Sequence, residues 1–351
     1  MKAALFYGKH DICVEEVLDP VLGDREVLVR VKAAGICGSD LHFYRETIQR
    51  TGIELPQLRG HELAGEIAVL GQGVVGLQIG QRVAVEPRHL VGCGRCRWCL
   101  RGDYQLCPSR GLKEGRRVHS TGFAEYSLEP AHNLYPLRDG LSTAEAALLD
   151  VYACAVHVVH LAPPRPMDTV VIQGAGPIGL ASVEMYKLGG ADKVIVCDVL
   201  AGALVAAGRV GADALIDSAA ADVFEAVMDL TGGAGADIVV EAVGGLAPTF
   251  SADVRMAARG GTVVIVGMYS RLQSLDTFDA QTKELRILFS NSYGRWGGVP
   301  EFEIALAEMS AGRLRPEVYI THTFPLEQID RAFATADNKR TSGAIKVMIE
   351  P

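Results

Sequence analysis

The stretch Thr169-Val170-Val171-Ile172-Gln173, running into Gly174-Ala175-Gly176-Pro177-Ile178-Gly179, decides how this chain is read. A short apolar run bounded by turn residues reads as a buried strand, and the spacing from Pro177 to Leu188 is helical. The turn between them has the pattern G-x-G-x-x-G. Gly174 permits the tight turn, Gly176 lets backbone amides approach a pyrophosphate, and Gly179 allows close helix–strand packing. The helix opened by Pro177 and Ile178 turns its positive end toward the phosphates. Nineteen residues beyond Gly179, Asp198 follows the next strand, Lys193–Cys197. An acid there accepts hydrogen bonds from ribose hydroxyls and repels a 2′-phosphate, which points to NAD rather than NADP.

Outward from this turn the same grammar continues. A helical segment runs to Val210, and strands follow at Asp237–Glu241 and Thr262–Val266. Strands alternating with helices imply β-α-β units and a doubly wound parallel sheet. Upstream, Glu26–Val31, Gly65–Val69 and Gln81–Val85 are short strands separated by turns at Gly71, Gly73, Gly76 and Gly80. Such punctuation suggests a compact barrel or sandwich. The change falls near Pro163-Pro164-Arg165-Pro166, and from about Asn291 the pattern turns mixed, ending in a strand at Ala344–Ile349. The parallel-sheet domain is therefore expected as an insertion: 152–291 binding the cofactor, with 1–151 and 292–351 forming a β-rich domain.

Composition narrows the class. Glycine is 39 of 351 residues, about 11% against a usual ~7%, and aperiodic, which suits backbone-dependent sites and excludes collagen-like repeats. Lys and Arg number 34 against 42 Asp and Glu, a net charge of −8, which argues against a general nucleic-acid binder. No stretch approaches the ~20 apolar residues of a membrane span, and the N-terminus turns charged too early for a signal peptide. A cytoplasmic protein with no membrane partner is expected.

Two constellations carry metal chemistry. Cys93-x2-Cys96-x2-Cys99-x7-Cys107 places four thiols on one short loop, suited to a closed tetrahedral zinc site that orders the lobe. Disulfides and an iron–sulfur cluster are the competing readings. The second group is scattered: Gly35-Ile36-Cys37-Gly38-Ser39-Asp40-Leu41-His42, then Gly60-His61-Glu62, then Asp150. Spacing alone does not decide it, since an isolated Cys is usually a small hydrophobe.

The three motifs in this order resemble the zinc-containing medium-chain alcohol dehydrogenase family over essentially the whole chain. GHELAGEIAVLGQGV is similar to the family's zinc signature, and within the family the sorbitol and L-threonine dehydrogenase branch is nearest. The resemblance implies a GroES-like catalytic domain formed by both chain ends around a Rossmann domain. It implies two zinc ions per chain, a catalytic one on Cys37, His61 and Asp150 with Glu62 nearby, and a structural one on Cys93, Cys96, Cys99 and Cys107. Cofactor contacts are implied at Ile178, Asp198, Val266-Gly267-Met268 and Ser292-Tyr293, and a homotetramer is implied with the strand near Leu285–Phe289 as its pairing edge.

On this reading a small-molecule secondary alcohol gives hydride to NAD. Its proton leaves by way of Ser39, the cofactor ribose and His42. A polyol, sugar alcohol, aminocyclitol or threonine would qualify, so L-threonine 3-dehydrogenase is an alternative. A non-catalytic NAD-binding sensor is the rival from another class, favoured if Val151, which replaces the family's usual Pro, shifts Asp150. Cys13, Cys154 and Cys197 match no ligand position and read as core. The loop residue His89 reads as solvent-facing, its role open.

Overall fold

A computed structural model describes residues 1–47, 55–113 and 116–351. The chain divides into two compact units, Met1–Asp150 with Gly297–Pro351, and Val151–Trp296.

The second unit is built on six parallel strands. Their order across the sheet is Ala214–Asp217, Lys193–Asp198, Thr169–Gln173, Ala236–Glu241, Ala257–Ile265 and Arg286–Phe289. Counted along the chain that is 3-2-1-4-5-6, the dinucleotide-binding order, with its reversal between Thr169–Gln173 and Ala236–Glu241. Parallel strands covered on both faces must be apolar throughout. Accordingly Val171, Ile195, Val239 and Val263 are fully buried in one core with Phe250 and Val254. The strand Thr169–Gln173 and the helix Pro177–Leu188 have the bounds read from the sequence. Ala257–Ile265 begins five residues before the expected Thr262, since Arg259-Gly260-Gly261 interrupts its apolar run.

The first unit is mainly β. A seven-stranded sheet runs Leu134–Pro136, Arg82–Val85, Glu62–Leu70, Glu26–Gly35, Lys346–Glu350 and Ile320–Pro325, with Tyr126–Pro130 also paired to Glu26–Gly35. The closing strand from the far end of the chain thus pairs directly with Glu26–Gly35, placing Met348 opposite Gly35. A second sheet of three strands contains Lys2–Gly8, Asp11–Glu16 and Gln57–Leu58. Between the elements lies an aromatic knot: Phe6, Tyr44 and Phe123 each meet Phe333 of the helix Ile329–Asp337, with ring centroids 5.2, 5.2 and 5.6 Å away. Phe6 and Phe123 meet Phe333 edge to face and Tyr44 meets it tilted, geometries that add to the burial of large apolar area. Among the described residues no helix is long and apolar enough to cross a membrane.

Candidate active site

Three strands of the first unit converge on one point. Glu26–Gly35 delivers Cys37 just past its end, where Cys37 caps the helix Gly38–Tyr44. His61 immediately precedes Glu62–Leu70, whose first residue pairs with Gly35. Lys346 begins the closing strand and sends Nζ to Ile36 O at 3.1 Å and to Glu62 Oε2 at 2.5 Å. One ligand atom each from Cys37, His61 and Glu62 lies within 4.8 Å of the others. Thiol, imidazole and carboxylate form the donor set that binds zinc in catalytic sites, so the residues present fit that ion.

Buried neighbours hold these groups in place. Asp40 is fully buried; its Oδ2 accepts from Cys37 N at 3.0 Å, and its Oδ1 faces His61 Nδ1 at 3.7 Å. Burial opposes a charged His61 imidazole, but the Cys37 sulfur and then the Asp40 carboxylate outweigh it and hold its pKa well above the usual value. Burial likewise pulls Lys346 down, and Glu62 followed by Cys37 outweighs it, so Nζ remains an ammonium. Asp150, 8% exposed in the first turn of the helix Leu149–Leu161, acts electrostatically on both His61 and Lys346 but is not among the three grouped donors. Ser39 and His42 sit three residues apart on the helix Gly38–Tyr44, and His42 Nδ1 lies 2.8 Å from Thr47 Oγ1.

The loop thiols form a second cluster, with Cys93, Cys96, Cys99 and Cys107 mutually within 4.8 Å. Sulfurs of Cys96 and Cys99 are 3.5 Å apart. That is too long for a disulfide and close to the edge, about 3.8 Å, of a tetrahedron with ~2.3 Å zinc–sulfur arms. The short helix Arg97–Arg101 presents Cys96 at its N-cap and ends at Gly102 in the left-handed region. Backbone amides of Arg95 and Cys96 push the Cys93 thiol down to about 6, and those of Cys99 lower Cys96, while burial raises Cys99 to about 12.

In the second unit the glycine turn has the geometry its chemistry needs. Gly174 has φ +98°, a Cβ on Gly179 would collide with the Gly174 carbonyl oxygen, and one on Gly176 would point into open space. Pro177 opens the helix beyond the Gly176 cap, with Ile178 half-buried beside it. Asp198 Oδ2 accepts from Ala175 N at 2.7 Å and Oδ1 from Leu200 N at 2.8 Å, so the carboxylate stands against the turn. This cradle fits a dinucleotide. Val266 N and Gly267 N both donate to Glu241 O, at 2.9 and 3.0 Å, and Met268 O accepts from Gly245 N at 2.7 Å. Ser292 has φ +58°, and Tyr293 is fully buried.

Three functional neighbours escaped the sequence reading. Asp40 and Lys346 are two; a lysine inside the apolar closing strand was a signal, since a buried ammonium requires a buried anion. The third is Glu241 at the end of its strand, beside the sheet reversal. Its Oε1 accepts from Val243 N, Gly244 N and Thr249 Oγ1 at 3.0, 2.9 and 2.9 Å, shaping the turn that meets Val266–Met268. Two expectations are corrected. Cys13 is exposed on the strand Asp11–Glu16 rather than in the core, since its side chain falls on the solvent face of an outer strand. His89 is half-buried rather than solvent-facing, because its ring lies between those of His61 and His119.

Comparison with known proteins gives consistent matches. Residues 23–139 match the profile of the alcohol dehydrogenase GroES-like domain, and 177–311 that of zinc-binding dehydrogenases. The chain is 34% identical to a sorbitol dehydrogenase of Bacillus subtilis, covering 100% of this chain and 97% of that one. It is 31% identical to a D-xylulose reductase A of Aspergillus niger, over 97% and 94% of the two chains. Among solved structures, galactitol-1-phosphate dehydrogenase of Escherichia coli superposes with a TM-score of 0.87 at 26% identity, covering all of both chains.

Proposed function

The chain belongs to the zinc-dependent medium-chain alcohol dehydrogenase family, in its sorbitol and polyol branch, and from that premise we propose that it oxidises one secondary hydroxyl of a small polyol with NAD as hydride acceptor. The observation that carries this reading is the meeting of Cys37, His61 and Glu62 beside Lys346, where three strands converge. Zinc held there supplies Lewis-acid polarisation of a substrate oxygen. Cys37 and His61 would hold it, with Asp150 or Glu62 as the oxygen donor.

The chain's own groups do the rest. Asp40 fixes the Cys37 backbone and orients His61. Ser39 Oγ takes the substrate proton as its own hydroxyl proton moves on, and the imidazole of His42, held at Nδ1 by Thr47 Oγ1, passes a proton outward. Gly174, Gly176 and the helix opened by Pro177 bind the pyrophosphate, and Val266–Met268 with Ser292 border the nicotinamide end. Asp198 selects NAD, because its carboxylate would repel a 2′-phosphate.

Cys93, Cys96, Cys99 and Cys107 would hold a second, closed zinc with no open position for substrate. Four thiols gathered on one loop at metal-ligand spacing suit a reducing compartment such as the cytoplasm. The edge strand Arg286–Phe289, with Phe289 72% exposed, suits pairing between copies in a homotetramer.

Metal analysis together with a panel of secondary alcohols tests the reading. Two zinc ions per chain and NAD reduction by a polyol are expected. A fully zinc-loaded preparation that turns over no secondary alcohol would sink it.

A further inference from the structure

A polar row crosses the parallel sheet of the second unit. Val171, Ile195, Val239 and Val263 face one apolar core. Two residues further along each strand, the same face carries Gln173, Cys197, Glu241 and Ile265. Gln173 stands in register with Cys197 on one side and Glu241 on the other. The helix Thr249–Met256 covers that face through Phe250 and Val254, and it adds a second acid, Asp253.

Asp253 and Glu241 are both fully buried. Thr249 and Asp253 lie one turn apart on the helix and so share a face. Thr249 Oγ1 donates to Glu241 Oε1 at 2.9 Å, and Asp253 Oδ1 accepts from Gln173 Nε2 at 3.0 Å. Each acid keeps one buried oxygen, Glu241 Oε2 and Asp253 Oδ2, with no hydrogen-bond partner among the described residues. A buried carboxylate is costly unless it is paired. The helix's own cation, Arg255, is exposed and lies over the Phe224 ring at 4.3 Å.

A single proton answers both orphaned oxygens. Glu241 collects three donors at Oε1 and is the better anion, which leaves Asp253 as the acid. Burial, and then the charge of Glu241, hold the Asp253 carboxyl well above the usual carboxylate range, against the pull of the Gln173 amide. Cys197 and Tyr269 feel the same acids. Both are raised chiefly by burial, the thiol to about 12, so neither adds a charge to the row at neutral pH.

Glu241 also governs the turn that follows it. Val243 N and Gly244 N close on its side chain, and a Cβ on Gly267 would collide with its Oε2. The same turn packs against the glycine turn of the first strand, since a Cβ on Gly174 would meet Val243 Cγ2 at 2.8 Å.

We propose that Asp253 positions the cofactor through Glu241. Its protonated carboxyl donates from Oδ2 to Glu241 Oε2, and that one proton holds residues 242–245 in the shape that seats NAD between Gly174 and Gly267. This rests on the reading of those turns as the NAD site and adds a positioning residue to it.

Asp253→Asn keeps an acceptor for Gln173 and an amide donor for Glu241, whereas Asp253→Ala removes both. The infrared difference between parent and Asp253→Asn at pH 8 should contain the carbonyl stretch of a protonated carboxyl. Aspartate with an isotope-labelled carboxyl carbon should shift the same stretch in the parent, a readout that needs no variant to fold. In NADH fluorescence titrations of the zinc-loaded enzyme, Asp253→Ala should bind at least about tenfold more weakly than the parent, while Asp253→Asn stays within about threefold. In turnover, the loss in Asp253→Ala should appear in KM for NAD rather than in kcat. Carboxylate bands in place of the carboxyl stretch would overturn the inference. So would an Asp253→Ala that binds NADH as the parent does, or an Asp253→Asn as weak as Asp253→Ala. Each of these leaves the NAD reading intact. A parent that binds no NADH would overturn both.

Discussion

The two clusters of candidate metal ligands in the first unit are assembled in opposite ways. Cys93, Cys96, Cys99 and Cys107 lie within one loop and need only a five-residue helix and a few glycines to meet. Cys37 arrives past the end of Glu26–Gly35 and His61 with Glu62 at the start of Glu62–Leu70, and the lysine that neutralises Glu62 lies 284 residues away from it. A loop of thiolates gains its order from the metal it closes around. The dispersed cluster is ordered by the sheet, and burial of its charges leaves each dependent on a partner. Loss of a ligand should therefore disturb function at one cluster and stability at the other.

That contrast predicts the largest difference. Cys37→Ala should lower kcat/KM by about 10³-fold or more, the several kcal/mol that Lewis-acid stabilisation supplies, with one zinc retained and little change in unfolding temperature. Cys107→Ser should instead release the other zinc and lower the unfolding temperature by roughly 5–10 °C, as expected for a loss of about 3 kcal/mol in a unit of this size. Metal content, turnover and thermal unfolding measured on both variants give the check. Equal effects on stability would break the comparison.

How much of this was legible follows from sequence distance. The strand–turn–helix Thr169–Leu188 was readable to the residue, since its turn is set locally, by the close approach of Gly179 to the Gly174 carbonyl. The Cys loop was readable for the same reason. The strand Glu26–Gly35 runs four residues past its expected end at Val31, because Ala33, Ala34 and Gly35 lack a large alternating side chain yet are paired with Ala64, Leu63 and Glu62. The partnership of Lys346 with Glu62 was not readable at all: no local rule selects one acid among many. The approach of His61, His89 and His119 was hidden likewise, because backbone pairing between distant segments creates it. Family resemblance named Cys37, His61, Asp150 and Glu62 but had nothing to say about Asp40 or Lys346.

The dependence of the dispersed cluster on its partners is sharpened by Lys346→Met. Glu62 then keeps a buried charge without its ammonium, a loss of about 3–5 kcal/mol. Urea unfolding of the zinc-loaded enzyme should show this, and adding Glu62→Gln should restore much of it, since replacing both partners removes the uncompensated charge. A single variant as stable as the parent would mean that the metal, rather than Lys346, neutralises Glu62.

The smallest effect concerns a buried acid in the same unit that belongs to neither metal-binding group. Glu129 is fully buried; its Oε1 accepts from Ser127 Oγ at 2.5 Å and its Oε2 has no partner among the described residues. Burial raises its carboxyl to about 7, although Ser127, Ser120 and Arg88 pull the other way. The folded chain thus keeps a proton that the unfolded chain surrenders near pH 4.5. Between that pH and about 7 the native state binds more protons, so stability falls as pH rises across the window and levels off above it. The change is at most about 3 kcal/mol, from about 1.4 kcal/mol per pKa unit. Glu129→Gln should remove it, which the difference between parent and variant in urea unfolding at pH 5 and pH 8 would reveal. A difference that stays constant with pH would mean that Glu129 is ionised in the fold, and that Arg88 reaches it as Lys346 reaches Glu62.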